Sequence, residues 1–446
     1  MMKYPEKRNR MKKQTGQVIQ RFSALFFGAV IALVLTGCSN PTDSTPHVKS
    51  LASLDLAGAK AIYIGVHQSA EDASGQTRDV AVNLFKITTG NSLEKVQYLS
   101  NEETKLFTEM EPVALYDSEG GYFILGLGNI TSGSFEVRDG YLVRKADGTV
   151  AQLGYGSQFV FPGRQTYFAN SGTLQMDGAD NIYFIDYFSG EDLFKLSLSG
   201  ETYDLEQINT LHRPLQWCMV DGAGNLALAN NSDVNYLSLL LTAGKKTVDL
   251  ESLNFWVAAD NHLYVDQYNS DDQKHDIIKI VPTDNDTVTF DTVATDLDRG
   301  VSLSHGMNFL LNADQRTVIA QQQQDSSAIL WDVSPDDGAP RIIATPDIEF
   351  SQVNAAAATS DAFYFAGKTA AGDAVLVRLD ALSDAISIVS EDYTVTLLEA
   401  SDLGEVFFSG SRVDDEANVV GLISTGGAIS VLDDSMASPV IAMLNL

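Results

Sequence analysis

Over most of the chain, short runs of β-branched and aromatic residues alternate with turns rich in Asp, Asn and Gly, and apolar positions recur every second residue. Amphipathic stretches of helical period are absent. One element recurs as an Asp-bearing turn followed by an apolar run. Asp177-Gly178-Ala179-Asp180-Asn181 leads into Ile182-Tyr183-Phe184, and Asp221-Gly222-Ala223-Gly224-Asn225 leads into Leu226-Ala227-Leu228. Asp260-Asn261-His262, Ser360-Asp361 and Ser401-Asp402-Leu403-Gly404-Glu405 open equivalent runs, with weaker copies at Asp117 and Asp314. Asp, Asn and Gly tolerate turn dihedrals, and the residues that follow suit a pleated, half-buried surface. About 15 to 25 residues further on comes a second strand pattern, as in Leu84-Phe85-Lys86-Ile87, Leu193-Phe194-Lys195-Leu196 and Val375-Leu376-Val377-Arg378-Leu379. Apolar residues flanking one charged position predict strands with one face buried and the other wet.

The turn residues Asp117, Asp177, Asp221, Asp260, Asp314, Asp361 and Asp402 lie 39 to 60 residues apart. Strand pairs repeating at that period predict an all-β fold, a β-propeller of about eight four-stranded blades, with seven as the alternative. The first unit is degenerate, around Ala61-Ile62-Tyr63-Ile64, and Val440 to Leu444 is placed to supply a closing strand to it. A pair of β-sandwiches is the competing architecture, since it requires no register between units. The repeat, best preserved from Asp177 to Gly200, resembles propellers with NHL-, YVTN- and PQQ-like blades. It departs from the PQQ type because Trp217, Trp256 and Trp331 are the only tryptophans, too few for one in each blade. That departure argues against a quinone cofactor.

The N-terminus breaks the pattern. An uninterrupted apolar stretch from Phe22 to Leu35, about 14 residues, is the size of a signal-peptide core and short of the roughly 20 that cross a bilayer. Basic residues precede it, Met11-Lys12-Lys13 offers an alternative start, and Leu35-Thr36-Gly37-Cys38 closes it. These residues resemble the lipobox of a bacterial lipoprotein. The resemblance implies cleavage between Gly37 and Cys38, acylation of Cys38, and several acyl chains that together hold a bilayer firmly where one chain holds it marginally. Ser39, where inner-membrane retention would call for Asp, implies the outer membrane of a Gram-negative envelope. The expected organisation is a signal peptide over 1–37, a lipidated Cys38 and Ser/Thr/Pro-rich tether over 38–50, with His47 a solvated linker residue, and a propeller over 51–446.

Charge narrows the partners. The chain carries a net −30, and loss of residues 1–37, with seven Lys/Arg and one Glu, leaves −36. Such a surface repels nucleic acid and anionic headgroups, so no nucleic-acid partner is expected and attachment to lipid falls to Cys38. With Cys38 committed, Cys218 has no disulfide partner and reads as a buried thiol in the strand Leu215 to Val220. No zinc-peptidase, hydrolase-elbow, phosphate-loop or Cys-x-x-Cys motif occurs. His67, His212, His262, His275 and His305 would have to converge in the propeller centre to act together, and their spacing shows no ligand set. Asp271-Asp272 and Asp284-Asn285-Asp286 are fragments of calcium-loop chemistry without its Gly and distal Glu, and Gln321 to Gln324 reads as an exposed loop.

No catalytic residue, cofactor site or metal ligand is therefore assigned, calcium being the one ion the acidic turns suit. The expectation is an envelope-anchored binding scaffold for a protein, peptide or glycan, in the periplasm or at the cell surface. The alternative is a propeller enzyme of lactonase or glycan-cleaving type. It requires two or more free carboxylates converging at one mouth of the central funnel.

Overall fold

The structure is a computed structural model. It describes residues 47–68, 80–100, 111–117, 120–131, 134–155, 158–159, 174–186, 192–199, 202–208, 215–230, 236–240, 247–251, 254–257, 262–269, 274–283, 287–297, 309–313, 316–322, 327–333, 341–345, 348–440 and 442–446. Cys38 and Gly37 lie outside these residues.

Residues 47–446 form one unit, and every element described in it is a strand. First come β1 (His47–Leu54), β2 (Ala59–Gln68), β3 (Val80–Thr88), β4 (Leu93–Lys95) and β5 (Tyr98–Ser100). A quartet follows, β6 (Glu111–Asp117), β7 (Tyr122–Thr131), β8 (Ser134–Arg144) and β9 (Thr149–Tyr155), with β10 (Gln158–Phe159) folded back on β9. The next is β11 (Leu174–Met176), β12 (Ile182–Asp186), β13 (Asp192–Ser199) and β14 (Thr202–Ile208). Then come β15 (Leu215–Val220), β16 (Leu226–Asn230), β17 (Tyr236–Leu240) and β18 (Thr247–Glu251), and β19 (Asn254–Val257), β20 (Leu263–Asn269), β21 (Lys274–Thr283) and β22 (Thr287–Leu297). Two more are β23 (Phe309–Ala313), β24 (Arg316–Gln322), β25 (Ala328–Asp332) and β26 (Arg341–Ile342), and β27 (Phe350–Ala358), β28 (Ala362–Thr369), β29 (Ala374–Asp380) and β30 (Ile386–Ser390). The chain ends with β31 (Tyr393–Ala400), β32 (Val406–Arg412), β33 (Asn418–Ile423), β34 (Ile429–Met436) and β35 (Ala442–Asn445).

Each quartet is an antiparallel meander, and the unit is a β-propeller. Five successive meanders run from β15 to β34, four of them as separate four-stranded sheets. This corrects the expectation of eight separate blades, because the other strands merge into composite sheets of 11 and 8 strands. The physical reason is strand addition at open edges. β1 pairs with the outer edge of β9 and reaches β14 through one bridge, His47 opposite Thr202. That strand takes in residues 47–50, which the sequence assigned to the tether, and so draws His47 into the sheet. β2 similarly reaches β34 through one bridge, His67 opposite Met436.

The expected closing strand is present. β35 pairs antiparallel with β2 in the register Ala61–Asn445, Ile62–Leu444, Tyr63–Met443 and Ile64–Ala442. The order β35-β2-β3-β4 repeats the order of the meanders, with its innermost strand drawn from the far end of the unit.

The core is a series of layers between neighbouring meanders. Phe363 and Phe365 of β28 pack toward Val318 and Leu330, while Tyr364 and Ala366 pack the other way, with Phe408 and Val419. Both faces of β28 are thus buried. The same holds for β29, where Val375, Leu376 and Val377 are all inaccessible. The one-face-wet expectation is corrected accordingly. Lys86 on β3 is only 3% exposed, and its ammonium is held by Asp55 (3.2 Å), Glu94 (3.5 Å) and the Ala57 carbonyl (3.1 Å). A buried lysine is tolerated because those acceptors replace its water.

Candidate functional site

The acidic residues of the repeat are the first candidates. At the β11–β12 turn, Oδ1 of Asp177 accepts the amides of Ala179 and Asn181 (both 2.9 Å). Its Oδ2 accepts the Asn181 side chain (2.8 Å) and the Tyr183 hydroxyl (3.1 Å). Asp221 repeats the arrangement at the β15–β16 turn, taking the amides of Ala223 (3.0 Å) and Asn225 (2.8 Å) and the Asn225 side chain (2.8 Å). An Asp with Asn four residues on is therefore a self-contained turn clamp, which explains why both recur together. Both carboxylates are buried. Burial, opposed by the Asn225 and Ala223 hydrogen bonds and the His262 charge, leaves Asp221 above the usual carboxylate range.

The same turns join neighbouring meanders. Asp180, in the left-handed region at φ 62°, reaches across to the amides of Gly121 (3.1 Å) and Tyr122 (3.2 Å). The amide of Gly178 donates to the carbonyl of Gly222 at 3.0 Å, and Asp221 feels the charge of His262 in the next meander. Further round the chain, Arg316 at the start of β24 bonds the β29–β30 turn, through Asp384 (2.6 Å) and the carbonyls of Asp380 (2.9 Å) and Ser383 (2.5 Å). Lys60 on β2 meets Glu405 in the β31–β32 turn at 2.5 Å. These carboxylates hold turns and blades together. Among the described residues no three His, Cys, Asp or Glu side chains are grouped to hold a metal ion.

Asp221→Ala would strand two amides and the Asn225 side chain and is expected to cost about 2–3 kcal/mol in urea unfolding. Asp221→Asn keeps an acceptor for the amides and removes a buried charge, so a loss under about 1.5 kcal/mol is expected. Equal losses for the two variants would contradict the clamp.

The two edges of the sheets differ. Turns at the edge just described, such as 145–148, 177–181, 221–225 and 401–405, are short. The four stretches longer than eight residues between consecutive strands, 69–79, 101–110, 160–173 and 298–308, all lead into strands (β3, β6, β11 and β23) that begin at the opposite edge.

The histidines do not gather. His67, the penultimate residue of β2, faces Asp433 at 2.9 Å, and His262 lies beside Asp221. His275 is within β21, and His212 and His305 lie outside the described residues. Asp271-Asp272 and Asp284-Asn285-Asp286 also lie outside them. Gln321 and Gln322, expected in a loop, are the last residues of β24, where they pair with Ile329 and Ala328. Cys218 is in β15, opposite Leu228.

The cluster that sequence reasoning missed is Tyr63, His67 and Asp433. Asp433 is separated from His67 by 366 residues, so no local spacing betrays it. The one signal was the closing strand, which implies that the two ends of the unit meet.

No family model and no curated protein matches the chain. Solved structures do. The dihydro-heme d1 dehydrogenase NirN is 12% identical, with 90% of this chain and 77% of that chain covered at a TM-score of 0.49. A puromycin hydrolase is 13% identical, with 74% and 54% covered and a TM-score of 0.45; this chain spans about half its length. The β-propeller domain of the Trilobed protease from Pyrococcus furiosus is 9% identical, with 73% and 98% covered and a TM-score of 0.40. At these identities the likeness concerns the fold alone.

Proposed function

We propose that the protein is a cell-envelope lipoprotein whose propeller is a binding scaffold for a protein, peptide or glycan partner. In this reading the two composite sheets also belong to the propeller, through β6–β9, β11–β14 and β35-β2-β3-β4. Cys38, acylated after cleavage at Gly37, anchors the ring to the outer membrane. The observation that carries the scaffold reading is the commitment of two repeat carboxylates and a neighbour: Asp177 and Asp221 are used by turn amides, and Asp180 by amides of the neighbouring blade. A funnel enzyme working through paired carboxylates needs such groups free. The gathering of long connections at the opposite edge supports the same reading, since variable loops on a rigid framework are where recognition concentrates.

Crosslinking in intact envelopes, followed by capture of the tagged full chain, tests the function. Recovery of a defined crosslinked species through residues of the long-loop edge is expected, and its absence at every crosslinker length would contradict the scaffold. The anchor has its own test. Cys38→Ala is expected to move the protein from the membrane to the soluble fraction and to abolish the acylated N-terminal peptide in mass spectra; an unchanged membrane fraction would exclude Cys38 as the anchor.

A further inference from the structure

The boundary between the last meander and β2 is narrow. Its backbone contacts include a single bridge at His67 and Met436 and the bond from the Ala437 amide to the Val66 carbonyl (2.7 Å). Beside them stands Asp433 of β34, 8% exposed. Its Oδ2 accepts from Nε2 of His67 (2.9 Å) and the hydroxyl of Tyr63 (3.2 Å), both on β2. Its Oδ1 accepts the amide (2.9 Å) and hydroxyl (2.8 Å) of Ser435 on its own strand. One carboxylate thus takes donors from both sides of the boundary.

The surroundings leave it little substitute. Phe85 of β3 covers the imidazole at 4.7 Å and stacks on Tyr63 at 5.3 Å, and Phe407, Val420, Leu422 and Met436 complete an apolar layer. Among the described residues, Nδ1 of His67 is buried with no hydrogen-bond partner and Asp433 is the polar contact that holds the ring. Other charged groups nearby are turned away. Asp434 pairs with Arg412 of β32 (2.7 Å), and Lys86 of β3 pairs with Asp55 and Glu94. β33 presents Asn418, which bonds the Met436 carbonyl (3.4 Å), and β35 presents Asn445, which bonds Glu399 (3.2 Å).

We propose that Asp433 is an acid-released latch on ring closure: its ionised carboxylate holds β2 against β34, and protonation opens that boundary while the blades on either side stay folded. A proton from solvent on Oδ2 turns an acceptor into a donor that faces the His67 and Tyr63 donors. Burial works to raise the Asp433 pKa, but the Ser435 hydrogen bonds and His67 outweigh it and hold the carboxyl below the usual range. The latch is therefore fully set above the ordinary carboxylate pKa of about 4 and is lost as pH falls through the lower folded-state value.

Hydrogen exchange of the full chain in steps from pH 6 down to pH 2, corrected for intrinsic rates, tests this; a boundary that never accelerates relative to the reference over that range would overturn the latch. The Ala437 amide, bonded to the Val66 carbonyl across the boundary, reports it, and β3 and β33 of the two flanking blades, with β28 and β29, serve as the reference. Acidification is expected to speed boundary exchange about 10- to 100-fold relative to the reference. Asp433→Ala at pH 6 is expected to show the same acceleration, with the reference unchanged and no further acid dependence. Boundary and reference losing protection together, or an Asp433→Ala boundary as slow as wild type, would overturn the proposal. Should that variant fail to fold, the wild-type pH comparison decides alone.

Discussion

Gly367→Ala is expected to cost about 3 kcal/mol or more, at or beyond the upper end of overpacking penalties, and Gly410→Ala a similar amount. A Cβ at Gly367 would lie 1.8 Å from the Gln352 carbonyl oxygen, and one at Gly410 would lie 2.3 Å from that of Thr394. In each case the obstacle is backbone of the neighbouring inner strand, which has no rotamer to escape into. The two glycines are structural equivalents. Gly367 on β28 stands opposite Val353, where the β27 register slips between Val353 and Ala355. Gly410 on β32 stands opposite Val395, where β31 slips between Val395 and Leu397. A bulge on the inner strand pushes its backbone toward the second strand, and only glycine leaves room. Urea unfolding followed by circular dichroism measures the loss. A midpoint within experimental scatter of wild type for either variant would contradict the close approach.

The second large effect is expected at Arg316. Its guanidinium, 10% exposed, bonds Asp332 of its own meander through Nε (3.0 Å) and three oxygens of the β29–β30 turn through its other nitrogens. Arg341 completes the group, 2.7 Å from Asp332 and 2.5 Å from Asp384. Arg316→Leu would leave two carbonyls and part of a buried carboxylate without donors, for an expected loss of about 3–5 kcal/mol. Arg316→Lys is expected to recover only part of it, because one ammonium cannot span a fork of partners on two blades. The pH dependence carries the sign. Asp384 is held below the usual carboxylate range by Arg341 first and Arg316 as well, against the opposing effect of burial. Its contribution is present above about pH 4 and disappears as pH falls through the lower folded-state value, so Arg316→Leu is expected to flatten the acid side of the stability profile. An unchanged profile would mean that the cluster does not couple the blades.

Much of the architecture was legible in the order of residues because blades are local objects. The Asp-Gly-Ala-x-Asn turns, the apolar strands after them and the closing segment at Ala442 to Leu444 all announce themselves within a few residues. What stayed hidden is non-local. Lys86 looks like a solvent-facing position because alternation cannot tell a wet face from a second buried face that carries its own acceptors. The merged sheets depend on β1 adding to β9 across about a hundred residues of sequence, and the His67–Asp433 contact depends on the two ends of the unit meeting. The role of Gly367 and Gly410 had a faint local signal, a glycine four or three residues after the first aromatic in Phe363-Tyr364-Phe365-Ala366-Gly367 and Phe407-Phe408-Ser409-Gly410. Its meaning depends on a bulge in the partner strand. Candidate chemistry fared similarly: single carboxylates at turns were visible, but the use of Asp177 and Asp221 by their own turn amides emerged only with the hydrogen bonds.

The pairing of β35 with β2 is what makes the unit a closed ring, and a cross-strand disulfide reports it most directly. In a chain carrying Cys38→Ser and Cys218→Ser, the double substitution Ala61→Cys and Asn445→Cys joins two residues that face each other in register. Mild oxidation is expected to give an intramolecular disulfide under native conditions but not when the oxidation is carried out in denaturant, whereas Ala61→Cys with Ala442→Cys, three positions out of register, is expected to give none. Crosslinks forming only between molecules, or equally well in both pairs, would contradict the closed ring.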